Sequence, residues 1–89
     1  MDYKKYSEII NNSLVVLADK LDFTFHTREY SNRTDKLILT LSKDRYRAET
    51  YKKIDKYKVL TEEKQEEFIR MELIETVCSF FVKYIHYIE

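Results

Sequence analysis

No glycine and no proline occur among the 89 residues, and that constrains the fold before any pattern is read. Glycine takes positive φ without penalty and lets backbone approach a ligand closely, while proline presets turns. At average usage, roughly 7% and 5%, a chain this long would carry about six glycines and four prolines. Turns must therefore be made by Asn, Asp or Ser, the other residues that tolerate turn geometry. Phosphate-cradling loops, dinucleotide fingerprints and nucleophile elbows are excluded, because each needs Gly at fixed places.

Part of this bias is compositional. Residues with AT-rich codons (Phe, Tyr, Met, Ile, Asn, Lys) number 37, against 7 for Gly, Ala, Arg and Pro. Such a skew points to an AT-rich genome, that of a low-GC bacterium, its phages or certain viruses. The length implies one domain, burying about 60 to 65% of the surface of the unfolded chain. With 44% hydrophobic and 36% charged residues, the composition is that of a globular chain. The single Cys78 cannot form an internal disulfide, and Met1-Asp2-Tyr3-Lys4-Lys5 is not an apolar signal segment, so a cytoplasmic location is expected. No apolar run is long enough to cross a membrane, since Lys83 and His86 interrupt the best candidate.

Periodicity divides the chain into five elements. Over residues 2–21, Tyr3, Tyr6, Ile10, Leu14, Leu17 and Leu21 recur at three- and four-residue steps, which predicts a helix capped by Asp2 and stopped at Asp22. The period then becomes two. Phe23 and Phe25 alternate with Thr24 and His26, and Leu37, Leu39 and Leu41 alternate with Ile38, Thr40 and Ser42, predicting two strands joined by the polar turn at residues 31–35. Residues 45–54 fit a strand or a helix, the latter giving αββαα. A third strand is favoured, because three antiparallel strands offer two helices a platform that a lone hairpin does not. Thr61 caps a long helix running nearly to Glu89, with Glu62, Glu63, Glu66 and Glu67 matching the helix dipole. The expected fold is thus a small α+β domain of order αβββα.

The last helix carries more apolar surface than this fold needs. Met71, Ile74, Cys78, Phe81, Ile85 and Ile88 form one stripe, and Leu73, Val77, Phe80, Tyr84 and Tyr87 form a second. Together they cover about 220° of the circumference, against the 100° or so that a surface helix uses. Either the first helix packs along its flank, or part is kept for another molecule, a second copy included. Cys78 lies mid-stripe and reads as a buried, inert thiol. Tyr3 and Tyr6 on the first helix, with Tyr84 and Tyr87 on the last, suggest helix ends that meet.

Formal charge sums to zero but is unevenly spread: residues 1–30, 31–60 and 61–89 carry −1, +5 and −4. In the basic segment Lys43, Arg45, Arg47, Lys52, Lys53, Lys56 and Lys58 are interleaved with Tyr46, Tyr51 and Tyr57. Cations with rings suit nucleic acid, and Arg and Tyr also suit protein hot spots. The commonest role of such residues is plainer, a solvated strand face whose lysines keep an edge from aggregating. The candidate partner contacts are Arg45, Arg47, Tyr51 and Lys53, with Glu62, Glu63 and Glu66 as a second patch. A cation held by those glutamates is less expected than solvated first-turn acids. His26, His86 and Cys78 show no repeated ligand spacing, so no metal or cofactor is expected. A Cys78–His86 dyad fails, the two lying about 80° apart in azimuth and about 12 Å apart along the helix axis.

The order helix, three strands, helix is similar to that of the double-stranded RNA-binding domain. That family binds through a Gly-Pro strand loop and a Lys-rich start to its second helix. Here the loop is Ser31-Asn32-Arg33-Thr34-Asp35, and the helix opens Thr61-Glu62-Glu63-Lys64-Gln65-Glu66-Glu67, with acids where phosphate-binding lysines would stand. The resemblance therefore extends to topology and carries no site residue. In general profile the chain looks like the small, motif-free, AT-rich proteins that phages encode to block host defence, anti-CRISPR proteins among them. The expectation is a non-enzymatic protein-binding module acting by steric occlusion. The alternative is a nucleic-acid-binding regulator using residues 43–58. A membrane partner is not expected, since only Lys83 and His86 would face anionic lipid.

Overall fold

The computed structural model describes residues 1–30 and 35–89, in the order α1 (Tyr3–Leu21), β1 (Thr24–Glu29), β2 (Lys36–Lys43), β3 (Tyr46–Lys53) and α2 (Glu62–Ile88). This is the αβββα arrangement that periodicity predicts, with the ambiguous third segment a strand. Residues 31–34 of the expected turn lie outside the described residues.

Capping follows the sequence closely. The Asp2 carboxylate accepts the Lys5 N–H at 2.9 Å, and Thr61 Oγ1 accepts the Lys64 N–H at 3.3 Å. α1 stops where Asp22 turns left-handed at φ 54 and ψ 58, its N–H reaching back to the Ala18 carbonyl. A two-residue loop, Asp44-Arg45, joins β2 to β3, and Asp44 also has φ 54. Positive φ at the first loop position alone is the type II′ pattern, where Gly is usual. Without glycine, aspartate takes both left-handed positions among the described residues.

The antiparallel sheet has the order β1-β2-β3. On one face, Leu37, Leu39 and Leu41 of the central strand pack with Tyr6, Ile10 and Leu14 of α1 and with Ile69, Leu73 and Phe80 of α2. Both helices lie on this face and run in the same direction: Lys5 pairs with Glu66 near their starts, and Phe23, just beyond α1, packs on Phe80. The tyrosines at the start of α1 and the end of α2 are therefore kept apart, contrary to the expectation that the helix ends meet. Tyr3 approaches Thr27 on β1, while Tyr84 and Tyr87 pack on Tyr46.

α2 uses one of its two apolar stripes. Ile69, Leu73, Val77, Phe80 and Tyr84 are buried, while Met71, Ile74, Ile85 and Ile88 are exposed. Cys78 is exposed too, which corrects the expectation of a buried thiol. A three-stranded sheet and one neighbouring helix fill a single stripe, and Cys78 lies on the other. Among the described residues, no helix is long and apolar enough to cross a membrane.

Candidate functional site

Side chains alternate across a strand, so a sheet covered on one face presents its other face as a second surface. Here that surface is framed by His26 and Arg28 of β1, by Ile38 and Thr40 of β2, and by Arg47, Glu49, Tyr51 and Lys53 of β3. Among the described residues, neither helix lies over it.

Register places these residues in rows. Arg28 and Tyr51 flank Ile38, and His26 and Glu49 flank Thr40. Ile38 and Thr40 retain only 3% and 4% of their exposure although they face away from the core. Their long neighbours shield them. Among the described residues, Thr40 Oγ1 is buried without a hydrogen-bond partner, an uncommon state for a hydroxyl. Glu49 stands between Arg28 at 3.7 Å and Arg47 at 3.9 Å. Tyr51, 59% exposed, meets Tyr30 edge to face with ring centroids 5.3 Å apart. The result is a flat, mostly cationic face with an aromatic corner and one carboxylate at its centre.

Three sequence candidates, Arg47, Tyr51 and Lys53, share this face, and Arg45 is exposed in the loop at its rim. Glu62, Glu63 and Glu66 do not join them, because α2 lies behind the sheet. Glu62 and Glu63 are exposed, while Glu66 bridges Lys5 at 3.4 Å and Arg70 at 3.0 Å, tying α1 to α2. Sequence reasoning places His26 opposite Phe23 and Phe25, but does not bring it, Arg28, Tyr30 or Thr40 into the candidate site. Strand register supplies those neighbours, and periodicity contains no register.

The basic segment also divides more sharply than composition suggests. Lys52 points to the helix side, where its ammonium donates to Thr76 Oγ1 at 2.6 Å and burial lowers its pKa despite nearby Glu72 and Glu75. Lys56 donates to Glu72, and Tyr57 stacks on Phe68 at 5.4 Å. Tyr46 packs against Phe80 on the same side. A polar groove of about 320 Å³ opens between β3 and α2, lined by Lys52, Glu72, Glu75, Thr76 and Lys83. Part of the +5 segment is therefore compensated by the −4 helix within the molecule. Of the three interleaved tyrosines, only Tyr51 reaches the open face. Among the described residues, no group of three or more His, Cys, Asp or Glu could hold a metal ion.

Comparison with known proteins returns no matching family model, no matching curated sequence and no matching solved structure.

Proposed function

We propose that this chain is a non-enzymatic binding module whose open sheet face docks on an acidic surface of a partner protein. The observation that carries the reading is the cationic, aromatic face that Arg28, Arg47, Tyr51 and Lys53 form around Ile38 and Thr40. Arg and Tyr are the residues from which hot spots are most often built, and both stand here on strands, which hold them rigidly. Glu49 occupies the place that an incoming carboxylate would take between Arg28 and Arg47. In a phage or mobile-element setting, the module acts as an inhibitor, anti-CRISPR-like, by occluding the surface it covers.

The test is a pull-down from a low-GC bacterial lysate with the wild-type chain beside Arg47→Glu and Tyr51→Ala. A partner retained by wild type at moderate salt and lost by both variants supports the reading. A partner bound equally by all three overturns it. Inhibition is then read as loss of interference when the chain is expressed in a host carrying the captured defence system.

A nucleic-acid role is the second reading, favoured by the Tyr30–Tyr51 ring pair beside Arg28 and Lys53. It requires affinity that falls steeply with salt, with a slope reduced by about one per cation removed at Arg47 or Lys53. Absence of a gel shift at low salt removes it. Lys52 and Lys56, engaged with α2, are poor choices for that experiment.

A further inference from the structure

We propose that the solvent-facing stripe of α2 is a self-association seam, which pairs with α2 of a second copy in parallel. This inference stands apart from the open-face reading and uses different residues.

The first observation is exposure. Met71, Ile74, Val82 and Ile85 are 53%, 55%, 56% and 50% exposed, and Cys78 among them is exposed as well. At 100° per residue these five fall within about 40° of one line, and that line lies about 140° around the helix from the buried stripe. They do not complete the core of their own chain. Scattered apolar residues need no explanation, but an aligned row of five marks a contact surface.

The second observation is spacing. Met71, Cys78 and Ile85 recur every seven residues, and Ile74, Phe81 and Ile88 do so three residues later, Phe81 being half-buried with its ring also against Phe23 at 5.8 Å between centroids. These are the a and d positions of a heptad repeat, the pattern by which one helix meets another. Lys64 and Glu67 occupy the preceding a and d positions, so the seam is confined to residues 71–88. A membrane surface is the poorer occupant: it would favour a flank rich in lysine, whereas Glu75 borders the stripe.

The third observation is charge. Arg70 lies at g and Glu75 at the following e. In a parallel pair, g of one helix faces the next e of its partner, which brings Arg70 to Glu75 of the second copy twice over. In an antiparallel pair with the seam overlapped, e faces e and g faces g, so Arg70 meets no acid. Within its own chain Arg70 reaches Glu66 at 3.0 Å across one turn, an exposed pair that it can exchange.

Because the sheet lies behind α2 from the seam, a dimer would carry its two open faces on opposite outer sides. One assembly then presents two copies of the cationic surface, and a partner that is itself repeated would be held with avidity.

The experiment is sedimentation equilibrium of the full chain up to about 300 μM, a range that captures a dimer of micromolar affinity. The expected mass rises from monomer to dimer with concentration. Ile74→Asp and Ile85→Asp are expected to hold the monomer mass throughout with an unchanged circular dichroism spectrum, since both side chains are already exposed. Arg70→Glu is expected to weaken association about tenfold, and Arg70→Glu combined with Glu75→Arg to restore it. A two-electron thiol oxidant such as diamide is expected to link two chains by a Cys78–Cys78 disulfide, the oxidant taking up the two electrons and two protons released by the thiols. A wild-type monomer at the highest concentration overturns the proposal, as does a dimer that survives Ile74→Asp. A dimer that the double charge reversal fails to restore overturns the parallel pairing on which it rests.

Discussion

Asp22 and Asp44 show what a chain without glycine does at positions that demand left-handed backbone. Both have φ 54, where a side chain with a Cβ carries a penalty of roughly 1 kcal/mol that glycine escapes. Asp22→Gly relieves it. Lys43 holds the Leu21 and Asp22 carbonyls at 3.1 and 2.9 Å, contacts to backbone that the substitution retains, and loses only its ion pair with the exposed Asp22 carboxylate at 3.8 Å, which contributes little. After the entropy of the more flexible unfolded chain is set against it, the net gain is about 0.5 kcal/mol, or a rise of roughly 2 to 4 °C in Tm by calorimetry. Asp44 differs because its carboxylate accepts the Tyr84 hydroxyl. Asp44→Ala loses that bond and keeps the Cβ, so a loss of about 1 to 2 kcal/mol is expected in denaturant unfolding. That Asp22 would end a helix is legible in the sequence. The role of Asp44 is not, because its partner lies forty positions away.

Tyr6 carries a second prediction at this scale. Burial above all, then Glu72 and Tyr57, holds its hydroxyl well above the usual tyrosine range. The unfolded chain releases that proton near pH 10 and the folded chain does not, so stability falls as pH rises past 10, by about 1.4 kcal/mol per pH unit for one such group. Tm measured from pH 9 to 11.5 should fall steeply in the wild type and less steeply in Tyr6→Phe. Tyr57 and Tyr84, whose pKa values are also raised, and Lys56, raised by its hydrogen bond to Glu72, contribute to the slope that remains.

At the scale of elements, α2 is held to the loop after β3 by polar contacts as well as by its core stripe. Burial pushes the Glu72 carboxyl up, but hydrogen bonds from Lys56 and Tyr57, with the charges of Lys56 and Lys52, outweigh it and leave the pKa lowered. A lowered carboxylate contributes stability that is present above its unfolded value, near 4.5, and is lost as pH falls through the folded value. Glu72→Gln is therefore expected to cost about 1 kcal/mol at pH 7, because Lys56 is half-exposed and screened. It should also flatten the acid limb of the stability curve, as followed by urea midpoints from pH 2 to 7.

The elements themselves were legible, since Leu37, Leu39 and Leu41 alternate and the residues of α1 step by three and four. Which stripe of α2 forms the core was not legible. Leu73–Val77–Phe80–Tyr84 and Ile74–Cys78–Phe81–Ile85 have the same period and similar hydrophobicity. Only the area of the sheet decides how much of the 220° or so of apolar arc is covered, and Cys78 fell on the uncovered side.

At the scale of the whole molecule the described residues form two layers, with both helices on one face of the sheet and neither on the other. The layers separate stability from recognition. Leu39, fully buried between them, is expected to cost about 2 to 5 kcal/mol as Leu39→Ala, a large part of the roughly 5 to 13 kcal/mol available to a domain of this size. Arg47→Glu and Tyr51→Ala on the open face should leave stability within about 0.5 kcal/mol of the wild type. Removing the central carboxylate should act in the opposite sense on binding. Glu49→Gln frees Arg28 and Arg47 for an acidic partner, with an affinity gain of about threefold to tenfold by titration calorimetry, whereas a loss would show that Glu49 itself makes the contact.

By itself the sequence determined the order of the elements, both helix caps and the type of every element except the third strand, whose residues fit a helix as well. These depend on period and on residues within one turn of each other, and such interactions are local. The tertiary structure decided which face each element turns inward. It brought Arg28 and Tyr51 beside Ile38, turned Lys52 away from Lys53, and left Cys78 in the open. Those outcomes depend on strand register and on the area one layer can cover, quantities that arise when distant segments meet.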